Sequence, residues 1–239
     1  MAVQPRVITV RRRERLFYIG MAVTILATVF AGFSRSYFLK AYFATPELSV
    51  LLHLHGVVFT AWILLFLTQT TLVAARRTDI HRRLGVLGGV LAALLIIVGT
   101  ATAIIRVKQG ATVPGVPPHS FLLIPLFDMV VFTILVTAAL YYRHRANVHK
   151  RLMTLATIAL LPAPIARLPL EMIREGGLPV IFGLADLFIV LCVIYDLIAW
   201  RRIHPATIWG GLIIVASQPL RLVLSGTPAW LAVASWLTS

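Results

Sequence analysis

Seven stretches of this 239-residue chain are long and apolar enough, or nearly so, to form membrane-crossing helices: 16–33, 48–75, 84–105, 121–142, 152–170, 180–200 and 206–224. A helix needs about 20 apolar residues to cross the hydrocarbon core of a bilayer. Only short polar connectors separate the stretches, so the expected fold is all-α: a polytopic bundle of about seven transmembrane helices forming one integral membrane domain over residues 1–239. Any chemistry must then sit inside the bundle or at its two faces. Residues 226–239 are too short to cross again, and Trp230 and Trp236 point to an interfacial tail.

Charge supports the same class. Hydrophobic residues make up 59% of the chain and charged residues 13%, about half of what a water-soluble domain carries. The net charge is nevertheless +14. Fifteen of the 22 Lys and Arg fall in the N-terminal segment and in every second loop, and five in the alternate loops. Basic residues accumulate on the cytoplasmic side, so the N-terminus is expected inside and the C-terminus outside, in a bacterial inner membrane. The cations thus read as topology signals, and nucleic acid is not an expected partner; the lipid bilayer is. The run from Leu16 continues to about Phe33 without a convincing small-x-small cleavage site and reads as a retained first span. With Cys192 as the only cysteine, the chain cannot form an internal disulfide, a thiolate zinc site or an iron–sulfur cluster.

The inner loops hold a repeat. Ile80-His81-Arg82-Arg83-Leu84 returns 68 residues later as Val148-His149-Lys150-Arg151-Leu152. Both copies open a helix running outward, consistent with duplicated helical hairpins. His204 opens the last span in the same direction. A His beside Arg at such a helix start is ordinarily solvated or headgroup-facing. The sharper alternative turns His81 and His149 inward to share a ligand.

Five ionisable residues lie in the outer half: Asp128, Arg167, Glu171, Asp186 and Arg221. Such groups are costly in a membrane and face a partner or a cavity. One arrangement is a set of buried ion pairs fixing helix register. The other is an outward-facing polar cavity, with Gln218 on the Arg221 stripe and Arg167 beside a broken helix. Pro162, Pro164 and Pro169 interrupt the fifth span there, and each removes a backbone donor. Irregular backbone at membrane depth is tolerated where protein or a cavity covers it.

Sorting the histidines by span yields two pairs. His53 or His55 opens the second span at the outer face and His119 precedes the fourth there, a possible metal-ligand pair in His55 and His119. His81 and His149 open the third and fifth spans at the inner face. Bis-His ligation of haem b needs two neutral imidazoles approaching one iron from opposite sides. This order of His over four consecutive spans is similar to the ascorbate-dependent transmembrane cytochromes b. The resemblance covers about 100 residues and implies electron transfer through two haems, one held by His53 or His55 with His119 and one by His81 with His149. His-Leu-His-Gly, Thr-Asp-Ile-His-Arg-Arg-Leu-Gly, His-Lys-Arg-Leu-Met and Ser-Gln-Pro-Leu-Arg also resemble a family of uncharacterised bacterial multi-pass proteins. A looser likeness reaches accessory factors of terminal-oxidase maturation.

The last span has no Lys for a retinal Schiff base, and no Walker-type, dinucleotide-binding, His-Glu-x-x-His or Gly-x-Ser-x-Gly pattern occurs. Three function classes follow: a haem- or metal-binding redox protein using paired histidines; a non-catalytic subunit or assembly factor of a larger membrane complex; and a transporter or receptor for a small molecule at Arg167 and Arg221.

Overall fold

The structure is a computed structural model describing residues 5–113 and 115–239. Nine α-helices follow one another among these residues, with no strand: α1 Pro5–Phe33, α2 Val50–Ala74, α3 Thr78–Lys108, α4 Pro118–Tyr141, α5 Ala146–Ile158, α6 Pro162–Ile165, α7 Glu171–Trp200, α8 Pro205–Ser225 and α9 Pro228–Thr238. A π-helical turn, Ser34–Phe38, extends α1. Six helices are long and apolar enough to cross a membrane: α1 with its π turn, α2, α3, α4, α7 and α8. Exposed Val90, Ile97, Leu187, Ile198 and Val223 clothe their outward faces, a surface suited to lipid.

The helix starts follow local chemistry. Pro118, Pro205 and Pro228 sit at first helical positions, where a missing N–H costs nothing. Ser49 caps α2 by accepting from the Leu52 N–H at 3.4 Å, and Thr227 caps α9 by accepting from that of Trp230 at 3.3 Å. Gly177, at φ 56° and ψ −145°, breaks α7 near its start, a conformation that glycine adopts at little cost. The apolar part of α7 therefore begins beyond Gly177, near the expected start of the sixth span at residue 180.

The expected fifth span, 152–170, differs most. It is a 13-residue helix, α5, followed by a turn and the four-residue α6. Pro162 and Pro164 lack the N–H groups that would continue the ladder. The segment nevertheless follows the whole apolar length of α1. Lys150, at the start of α5, reaches Glu14 at 2.7 Å, while α6 packs on Gly32. Leu155, Ile158, Leu161 and Ile165 are almost fully buried, so α5 and α6 form the centre of the bundle. Trp62 of α2 ties into this centre, packing edge-on against Phe132 at 5.1 Å and donating its indole N–H to Thr157 Oγ1 at 3.3 Å.

The approach of α1 and α6 tolerates no side chain at residue 32. A Cβ there would stand 2.1 Å from the Pro164 carbonyl oxygen. Gly32→Ala is expected to force the two backbones apart at a cost of about 1–3 kcal/mol. A lowered thermal midpoint in detergent would register it, and an unchanged midpoint would contradict the packing.

The tail forms α9 and folds back on the bundle. Ala234 is fully buried beside Ala103, Val107 and Leu122, and the Trp230 indole donates to the His119 carbonyl at 2.9 Å. Trp236 stays exposed. The bundle thus has two ends. One, the basic end, gathers the start of α1 and the α2–α3, α4–α5 and α7–α8 connections. The other gathers the π turn, the α3–α4 connection, α6 and α9.

Candidate functional site

At the basic end, α3 and α5 bring His81 and His149 together. Their ring centroids lie 6.3 Å apart with planes at 82°. His149 Nδ1 is 2.8 Å from the Ala139 carbonyl oxygen. A carbonyl only accepts, so Nδ1 carries a proton, and the tautomer this selects for a neutral ring has its lone pair on Nε2. Metal-binding histidines are commonly oriented by a backbone carbonyl in this way. His81 Nδ1 is buried without a hydrogen-bond partner, and so is Gln69 Oε1. The Gln69 amide N–H donates to the His81 carbonyl at 3.3 Å, holding the end of α2 against the start of α3.

Two imidazoles binding one metal through nitrogens about 2.0–2.1 Å away place their centroids roughly 6 Å apart. The observed spacing fits that requirement. Among the described residues no group of three or more His, Cys, Asp or Glu could hold a metal ion.

The outer histidines are engaged separately. His55 stacks on Phe59 with centroids 4.1 Å apart, and its Nδ1 has no partner. His119 Nε2 lies 3.2 Å from Thr238 Oγ1, and Trp230 holds its carbonyl. His53 is exposed beside Tyr37. His119 is thus tied to α9, and His55 packs against its own helix.

Close to the histidine pair lies a charge cluster centred on Arg151, which is 3% exposed, and Asp196, which is 1% exposed. Arg151 Nε donates to both carboxylate oxygens at 3.1 and 3.3 Å, a second nitrogen also contacts Oδ1, and Nη1 donates to the Asn147 carbonyl at 2.9 Å. Asp196 Oδ2 accepts from Thr207 Oγ1 at 2.6 Å and from the His204 N–H at 3.1 Å. His204 Nδ1 in turn accepts from the Ala206 N–H at 3.1 Å, capping α8. Partial burial, reinforced by the Arg151 charge, holds the His204 imidazole below its usual range and therefore neutral.

In the sequence, Arg151 reads as one more cation of an inner loop. The available signal was the repeat itself. Arg83, its counterpart in the first copy, is exposed, whereas Arg151 is buried beneath α7 and α8.

The residues expected around one outer cavity separate into pairs. Arg221 is 2% exposed. It contacts Asp128 Oδ1 at 2.5 Å, Ser217 Oγ at 2.8 Å and the Ile124 carbonyl at 3.3 Å, between the rings of Phe127 and Phe182. Gln218 donates to Asp186 Oδ1 at 2.8 Å. Glu171 is exposed at the start of α7. Arg167 lies elsewhere, donating to the Ala163 carbonyl at 2.7 Å and resting over Phe33 at 4.8 Å. Arg221 is engaged in an ion pair that ties α4 to α8, whereas the contacts of Arg167 lie on α1 and α6. The chain matches no family model, no curated protein and no solved structure.

Proposed function

We propose that this chain is a membrane-embedded redox protein that holds one b-type haem between His81 and His149. The observation carrying the reading is the 6.3 Å spacing of the two rings, together with a tautomer that leaves His149 Nε2 free to bind metal. Porphyrin nitrogens would supply the remaining ligands of the iron. Bound iron would supply one-electron chemistry. The chain's own part is to orient and insulate: Ala139 fixes the His149 tautomer, Gln69 positions the start of α3, and the Arg151–Asp196 pair rivets α5 to α7.

The topology proposed with this reading has seven crossings, the α5–α6 segment being the broken one because it runs beside α1 from Glu14 to Gly32. The basic end faces the cytoplasm of a bacterial inner membrane, following the distribution of Lys and Arg. The haem would then lie near the inner face and exchange electrons with a partner there.

His149→Ala and His81→Ala are each expected to remove the visible absorbance of low-spin haem from the purified protein. His55→Ala is expected to leave the spectrum unchanged. Equal spectra for all three variants would remove the inner pair from the account.

A further inference from the structure

At the end opposite the histidine pair, Arg167 has few partners among the described residues. Arg167 presents a guanidinium with five N–H groups, of which one meets the Ala163 carbonyl. Among the described residues no carboxylate pairs with it. The guanidinium rests on the face of Phe33 at the end of α1, 4.8 Å from the ring centroid.

On α2, His55 has a buried Nδ1 without a partner, and the next residue, Gly56, packs against the Tyr37 ring of the π turn. Three residues beyond Phe33, Ser36 lies in the π turn with a buried hydroxyl that is likewise unpartnered. Single π turns recur at functional sites because they displace side chains from the regular helical ladder. The Arg167 guanidinium and the two idle polar groups around the end of α1 are complementary to a ligand rich in acceptors and negative charge.

We propose that Arg167, with His55 and Ser36, forms an oxyanion-binding site between the end of α1, the start of α2 and α6. The ligand is a phosphate-type oxyanion, either free in solution or carried on a lipid headgroup. Guanidinium groups bind such oxygens through paired N–H bonds. The site is independent of the histidine pair, which lies at the other end of the bundle.

Two probes distinguish the sources. Inorganic phosphate is titrated calorimetrically into the purified full-length chain in zwitterionic detergent. In parallel, nanodiscs of phosphatidylcholine with phosphatidylglycerol are analysed by native mass spectrometry for retained anionic lipid. Arg167→Gln is compared with Arg174→Gln, a change at an exposed cation on the start of α7. Ligand-free thermal midpoints verify folding, and His55→Ala provides a second variant within the site. Loss of a charged hydrogen-bond donor weakens binding by about tenfold or more. Phosphate binding weakened in R167Q but not R174Q supports a free oxyanion. Selective loss of phosphatidylglycerol from R167Q, without phosphate heat, supports a headgroup. Equal behaviour of wild type, R167Q, R174Q and His55→Ala with both probes overturns the proposal.

Discussion

Asp196→Ala is expected to cost about 3–5 kcal/mol, the usual penalty for removing one partner of a buried ion pair. The loss reaches three neighbours at once. Arg151 would keep a buried guanidinium without a counter-charge, and the Thr207 hydroxyl and the His204 N–H would lose their acceptor. α5, α7 and α8 meet at this carboxylate, so their relative placement would be the first thing lost. Such a decrement is a large share of the stability of a typical domain, and the expected readout is a steep fall in folded protein recovered in mild detergent. Replacing both partners with apolar residues of similar size, Arg151→Met with Asp196→Leu, is expected to restore most of it. Apolar replacement of a whole pair is often neutral or better. A single Asp196→Ala variant with an unchanged unfolding midpoint would contradict this arrangement.

At the other end, Arg221→Ala is expected to have an effect of similar size, again about 3–5 kcal/mol. It strands Asp128 in the bundle, frees the Ser217 hydroxyl and empties the space between Phe127 and Phe182. The contacts with the two rings contribute about 0.5–2 kcal/mol of that. Asp128→Asn should be milder, because an amide oxygen can still accept from the guanidinium. The coupling is read from a double-mutant cycle of Arg221→Ala and Asp128→Ala, followed by thermal unfolding in detergent. If the pair is structural, the double variant loses far less than the sum of the singles. Additive losses would mean that the two residues act independently.

These pairs show where the sequence was legible. Asp128, Asp186, Gln218 and Arg221 announced themselves because ionisable and amide groups on long apolar helices have few solutions. Their partners were less visible: Gln218 turns to Asp186 and Arg221 to Asp128, a choice made by helix packing. Both readings kept open for these residues, an ion-pair network and an outward cavity, place them facing inward. One ion pair of that kind forms, where the Arg221 guanidinium closes onto Asp128 of α4. Arg151 was hidden for a related reason. Its neighbours Lys150 and Arg145 look like any cytoplasmic cations, and only the covering α7 and α8 make it a core residue.

The broken segment is instructive in the same way. Hydropathy marked 152–170 as a span and the prolines marked it as irregular. Neither revealed that α5 and α6 would be the most enclosed part of the bundle. α5 carries Thr154 and Thr157, whose hydroxyls back-bond to Lys150 and Met153 carbonyls, so polar residues sit in the core without a desolvated orphan. Among the histidines, the shared spacing from the repeat did point to one pair. His81 and His149 occupy equivalent first turns, on α3 and α5, and these turns meet at the basic end. The pairing of His119 with α9 depended on the tail folding back through Trp230, which no local pattern announces.

The central claim is that the inner pair holds haem. The most direct measurement is the visible absorption spectrum of the wild-type chain purified from haem-replete cells, recorded with iron content on the same sample. The account predicts the bands of a low-spin, six-coordinate haem and close to one iron per chain. A colourless preparation without iron would contradict it.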